Sequence, residues 1–375
     1  MLCFLKKVLL FSLPLGLLFV FPGTVLYFGR EYVAAEDVVT SQQKDPRILM
    51  SFAYNPTLFV PYKLALMKEK NPTVVSLGTS RVLQIRKEFF INQESYVDAG
   101  KAGGSLDDIK YFVEQLPEDT HVKVIILGLD NETLYETFES KNFRIEQPFF
   151  MRAANMIALM SRRIYLDYFA HKYSLFQLMK AYKSSSNIGL IALVSGDGFR
   201  PDGSYKYSQS QSNQYLQEEV KADIEKKAED LRRSSLQSGD TRYQEVEINL
   251  EKLSSVLELC KKRGITVVGF TPPYPEVMYN AMIDKGGFDK DILVTVPKRV
   301  SDIFSKYGNP FFNLSLVNTF GGNENEFVDP VHGTDGMYLH MMIYMAEHSD
   351  ILRNYVSLKD LRSLLPKEHR GFLNF

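Results

Sequence analysis

Cysteine is nearly absent from this 375-residue chain, which has only Cys3 and Cys260. Cys3 precedes the first hydrophobic segment and Cys260 sits in a stretch of helical spacing, which argues against a disulfide between them. Nor is there a four-ligand Cys/His pattern for zinc. Net charge is lacking too: 44 Lys and Arg against 45 Asp and Glu leave −1, and nothing in that balance points to nucleic acid as a partner. Beyond residue 30 no apolar run is long enough to span a bilayer; Ile188–Val194 is far too short. What remains is an ordinary globular composition, able to bury one large core or two modest ones.

The N-terminus carries the one long apolar run. After Lys6 and Lys7 come about 22 residues without a charge, VLLFSLPLGLLFVFPGTVLYFG, closed by Arg30 and Glu31. Two readings fit. One is a cleaved signal peptide, with Val33-Ala34-Ala35 as a weak cleavage site; the other is an uncleaved signal anchor over residues 1–30. The length of the run favours the anchor, and Lys6 and Lys7 then put everything after Arg30 outside the cytoplasm.

Residues 31–71 read as a polar linker and an approach segment. From Pro72 strands and helices alternate. Thr73–Leu77 reads as a strand turning at Gly78 into a helix over Arg81–Phe90. Tyr96–Ala99 is a second strand, followed by the glycine-bearing loop at Gly100, Gly103 and Gly104 and a helix from Asp107 to Leu116. Val122–Leu127 is β-branched and almost continuously apolar, as suits a strand covered on both faces. Residues of about 136–240 break the pattern and read as a largely helical insertion, in which Tyr215–Arg233 is a charged surface helix. Order returns at Tyr243 with an apolar helical stripe, then strand Ile265–Phe270, helix Pro297–Tyr307 and strand Pro310–Leu314. A helix over about Asp335–His348 closes a domain of 72–350, leaving 351–375 as a tail. Such alternation predicts a parallel sheet with helices on both faces, and ligands at the carboxyl ends of the strands.

Ser80, the Gly103 loop, Asp130 and His332 all fall on that edge. Ser80 alone can be a nucleophile, an anion contact or a helix N-cap. Acyl transfer through serine needs, besides the nucleophile, a base, a group orienting that base, and donors for the oxyanion. Asp329 and His332, three residues apart, suit the middle two roles, and the backbone N–H groups of Ser80 and Gly103 suit the last. Arg81 has two readings, a contact to an anionic substrate or a salt bridge.

Four blocks in this order resemble the SGNH (GDSL-like) hydrolase superfamily: Gly78-Thr79-Ser80-Arg81, Gly100-Lys101-Ala102-Gly103, Leu127-Gly128-Leu129-Asp130-Asn131 and Asp329-Pro330-Val331-His332. With the apolar N-terminus, the spelling is most similar to the membrane-anchored branch of alginate O-acetyltransferases and teichoic acid D-alanine transfer proteins. The resemblance implies an α/β fold, a flavodoxin-like three-layer sandwich with a five-stranded parallel sheet. It implies Ser80 as nucleophile, His332 as base, Asp329 as its orienting acid and Gly103 as an oxyanion donor. The activity implied is that of a serine acyltransferase or esterase, without cofactor or metal, acting on O-acyl groups of a cell-envelope polysaccharide on the periplasmic side of the cytoplasmic membrane. A transferase would also need a multipass membrane protein to deliver the acyl donor. A non-catalytic assembly component of the same fold is the alternative. In the third block the family usually has Asn where this chain has Asp130, with Asn131 one residue later. Either a one-residue shift presents Asn131, or Asp130 is protonated or placed elsewhere, or the oxyanion hole is weakened.

Overall fold

The computed structural model describes residues 16, 18–135, 149–207, 214–234, 240–365 and 373. The chain forms two compact units: Met1–Tyr62 with Asn142–Pro201 and Tyr205–Ser208, and Lys63–Lys141 with Asp202–Ser204 and Gln209–Phe375. The section expected as an insertion therefore divides. Its first part joins the N-terminal residues, while the helix Gln214–Arg233 belongs to the sheet-bearing unit, burying Ile224 and Ala228 beside the helix Glu276–Lys285.

The larger unit is built on five strands, β1 (Val74–Gly78), β2 (Tyr96–Gly100), β3 (Val124–Gly128), β4 (Thr266–Thr271) and β5 (Phe311–Asn313). All pair in parallel in the order β2-β1-β3-β4-β5, so the chain winds outward in both directions from β1 and β3. Residues 74–78 and 124–128 are buried on both faces. Val74, Ile126, Val268 and Phe270 pack with the helix Asp335–Glu347 on one side. On the other, Gly269 lets the ring of Phe304 from the helix Val296–Lys306 lie against the sheet, where a Cβ would stand 2.4 Å from it. The helices Leu106–Gln115 and Arg242–Lys262 pack together in that second layer. A capping box between Ser105 and Asp108 starts the first, and Gly264, at φ +68°, ends the second. Cys260 is buried on the Arg242–Lys262 helix, and burial pushes its thiol up to about 12.

The helix expected over Arg81–Phe90 does not form. Two 3-10 turns, Ser80–Val82 and Lys87–Phe89, take its place. All six residues from Arg81 to Arg86 are buried, so the segment lacks the solvent-facing side of a surface helix. The segment expected as a C-terminal tail is also structured: Asp350–Arg353 and Leu358–Leu364 are helical and place Leu352 and Leu361 in the core.

In the smaller unit Val25, Leu26, Tyr54, Met156, Ile164, Tyr173 and Leu178 form the centre of a separate core. Residues 31–71, expected as a linker, include the helices Ala35–Lys44 and Phe59–Lys70. Most of the membrane-spanning helix expected over residues 1–30 lies outside the described residues; among the described residues no helix is long and apolar enough to cross a membrane.

The end of β3 is tightly packed. A Cβ on Gly128 would stand 2.3 Å from Val82 Cγ1 and 3.2 Å from Phe270 Cζ. Gly128→Ala is expected to cost about 1–3 kcal/mol through overpacking, with Val82→Ala recovering part of the loss in the double variant. Urea denaturation, with hydrogen exchange of the peptides covering β1 and β3, checks this; purely additive losses would rule out the Val82 contact as the cause.

Candidate active site

β1 ends at Gly78, whose φ of +153° and close approach to the Gly128 carbonyl leave no room for a side chain. Thr79 follows as the cap of the 3-10 turn, its hydroxyl accepting from the Arg81 N–H, and Ser80 is the first residue of that turn. The loop before the helix Asp335–Glu347 brings His332 to it: Ser80 Oγ lies 2.8 Å from His332 Nε2. Asp329 Oδ2 is 2.7 Å from His332 Nδ1, and Asp329 Oδ1 accepts the N–H groups of Val331 at 2.9 Å and His332 at 2.8 Å. Burial works against the charge on Asp329, but these hydrogen bonds outweigh it and hold the carboxyl below its usual range. With Asp329 ionised, Nδ1 carries the proton, so Nε2 is free to accept the Ser80 hydroxyl proton. Three residues expected to act together from a sequence separation of 252 positions are therefore in line.

The donors around Ser80 are arranged otherwise than expected. The Gly103 N–H is occupied by the Gly78 carbonyl at 3.1 Å. The loop folds back onto the end of β1 so closely that a Gly103 Cβ would stand 3.2 Å from Gly78 Cα and 2.7 Å from Ile109 Cγ1. Gly103 is thus a packing residue here and its amide is already committed. Two other groups are uncommitted: the Ser80 N–H has no acceptor among the described residues, and Asn131 Nδ2, buried at the head of the helix Asn131–Tyr135, has no hydrogen-bond partner among them.

Asp130 has a different task. Its Oδ1 pairs with Arg81 Nη1 at 2.7 Å, both side chains being almost wholly buried, and its Oδ2 accepts from the Thr79 hydroxyl at 3.2 Å. Arg81 also donates to the Pro273 carbonyl and stacks over the Tyr274 ring, 4.3 Å from its centroid. Burial opposes the guanidinium's charge, but Asp130 overcomes this and raises its pKa above the usual value. Of the readings open for Arg81, the salt bridge is the one found.

Sequence reasoning missed two supports. Lys63 is fully buried and donates to the Asp98 carbonyl at 2.8 Å and to the Gly203 carbonyl, while the Asp98 carboxylate accepts the Gly100 N–H at 2.6 Å. Burial pushes the Asp98 carboxyl up and the Lys63 ammonium down. The visible signal was a lone carboxylate inside an apolar strand, YVDAG. The second is Arg86, paired at 2.9 Å with Asp335 at the head of the helix that follows His332.

Among the described residues no cluster of His, Cys, Asp or Glu could hold a metal ion. The chain was compared with protein-family models, with curated proteins and with solved structures, and matched none of them.

Removing one member of a buried ion pair strands the other charge. Asp130→Leu is expected to cost about 3–5 kcal/mol, whereas adding Arg81→Met to it recovers most of that in a denaturant-based double-mutant cycle with both single variants. A double-variant loss equal to the sum of the two single-variant losses would mean that the pair is not coupled.

Proposed function

We propose that this chain is a serine-dependent acyl esterase or acyltransferase. The observation that carries the reading is the linear arrangement of Ser80, His332 and Asp329, at 2.8 and 2.7 Å. Ser80 Oγ attacks the carbonyl carbon of an ester, and its proton passes to His332 Nε2. The ester oxygen leaves with that proton, and an acyl group remains on Ser80. Water or an acceptor hydroxyl then attacks the acyl carbon, giving its own proton to His332 and, through it, back to Ser80.

The Ser80 N–H and Asn131 Nδ2 are the candidates for binding the oxyanion, being an amide on the nucleophile and a buried donor that have no partner among the described residues. Asp130, paired with Arg81, does not stand as a free charge against it. The sequence blocks that resemble SGNH hydrolases, together with the parallel sheet, support the finer reading of an SGNH-type enzyme. On that resemblance the substrate is an O-acylated polysaccharide of the cell envelope, and the site works outside the cytoplasmic membrane.

A fluorophosphonate probe is expected to label the full chain at Ser80, with no label in Ser80→Ala and a loss of 10-fold or more in His332→Ala. Labelling of wild type at no residue would sink the enzyme reading and leave the assembly component. Against p-nitrophenyl acetate, Asn131→Ala is expected to lower kcat by about 10²–10³ if its amide binds the oxyanion.

A further inference from the structure

The smaller unit has an apolar surface that the triad chemistry does not use. The helix Phe149–Phe169 buries Met156 and Ile164 on one side. On the other it exposes Met151, Leu159, Leu166 and Phe169, the last three at 74%, 57% and 71% for Leu159, Leu166 and Phe169 respectively. At 100° per residue these four fall within an arc of about 80°. The next helix, Leu175–Ser184, repeats the plan: Leu178 is buried, while Phe176, at 79% exposed, and Met179 face outward with Lys180 and Lys183.

Two observations indicate what covers this face. The uncharged N-terminal run packs along one flank of the helix that carries it. Phe21 stacks on Tyr165 at 5.2 Å, the Tyr165 hydroxyl donates to the Leu18 carbonyl at 2.9 Å, and Leu18, Phe19 and Val20 are exposed beside the helix. The face is also basic. Arg162, Lys180 and Lys183 are exposed, while the one carboxylate of the two helices, Asp167, is already paired by Lys172 at 2.7 Å and by Arg163 at 3.7 Å. Large apolar side chains interleaved with cations are the composition of a helix lying in the interface of an anionic bilayer, where arginine and lysine stems reach outward to the headgroups. The same cations would repel one another across a face shared by two copies.

We infer that the helices Phe149–Phe169 and Leu175–Ser184 form a membrane-surface site for anionic phospholipid, holding the smaller unit flat in the headgroup layer in addition to any anchoring by the N-terminal run. Phe169, Phe176 and Leu159 enter the acyl boundary, and Lys180 and Lys183 contact lipid phosphates.

The chain contains no tryptophan, so Phe169→Trp and Phe176→Trp each place a sole indole on this face with little change in size. Each full-length variant is reconstituted in vesicles of phosphatidylcholine and phosphatidylglycerol at 3:1, with and without brominated acyl chains. Ile91→Trp, at an exposed position of the other unit, is the control. The expected result is blue-shifted emission and at least twofold quenching by brominated lipid in both face variants, and neither in the control. Loss of quenching in Lys180→Glu/Lys183→Glu/Phe176→Trp supports the role of the cations. Emission that stays red and open to iodide means that the face is in water and overturns the proposal. A blue shift that brominated lipid does not quench means that protein covers the face, and also overturns it. Insertion of the N-terminal run alone would leave quenching unchanged in Lys180→Glu/Lys183→Glu/Phe176→Trp, and that result would overturn the proposal.

Discussion

The guanidinium of Arg81 joins the ends of three strands. It sits in the turn after β1, pairs with Asp130 beyond β3 and donates to the Pro273 carbonyl beyond β4, with the Tyr274 ring beneath it. A buried ion pair contributes little net stability, because desolvating two charges offsets most of their attraction. What such a pair supplies is position. Ser80 immediately precedes Arg81 and Asn131 immediately follows Asp130, so each of the two residues with uncommitted chemistry is held by a neighbour that cannot move without breaking the pair. The glycines at 78 and 128 make the arrangement possible by letting the two turns approach to contact.

Much of the sheet was legible because its strands are short apolar runs between turn residues. Val124–Gly128 is the plainest case: β-branched residues buried on both faces leave few alternatives. The juxtaposition of Ser80, His332 and Asp329 was legible for a related reason, since the chain order of strands puts their carboxyl ends together. The role of Asp130 was not legible. Its partner is 49 positions away, and a spacing of that length says nothing about which charge a carboxylate meets. Gly103 shows the opposite error. A glycine in a loop beside a nucleophile suggested an available amide, but the same absence of a side chain let the loop pack so tightly on β1 that the Gly78 carbonyl took that amide.

The helix expected after Ser80 failed for a reason that periodicity could not reveal. Arg81 and Arg86 are both buried with carboxylate partners, and helical spacing does not show that a charged residue will be buried. Once paired arginines count as core, Arg81–Arg86 has no solvent face. The division into two units was hidden likewise. The smaller core draws on residues near 25, 54, 160 and 190, and no local pattern announces that segments so far apart will pack together.

On the proposed reading, the openness of the triad bears on what it would transfer to. Asp329 is 44% exposed and His332 22% exposed in their side chains. Asp329 keeps its charge through three hydrogen bonds from its own loop and not through a dry pocket. Such a base is accessible to water as it stands, so an acyl group on Ser80 would be hydrolysed unless a bound acceptor covered the loop. Transfer to a sugar hydroxyl then requires the acceptor itself to shield His332. A large polymer can do that and a small alcohol cannot, which makes acceptor size, more than any further residue of the triad, the variable that separates a transferase from an esterase at this site.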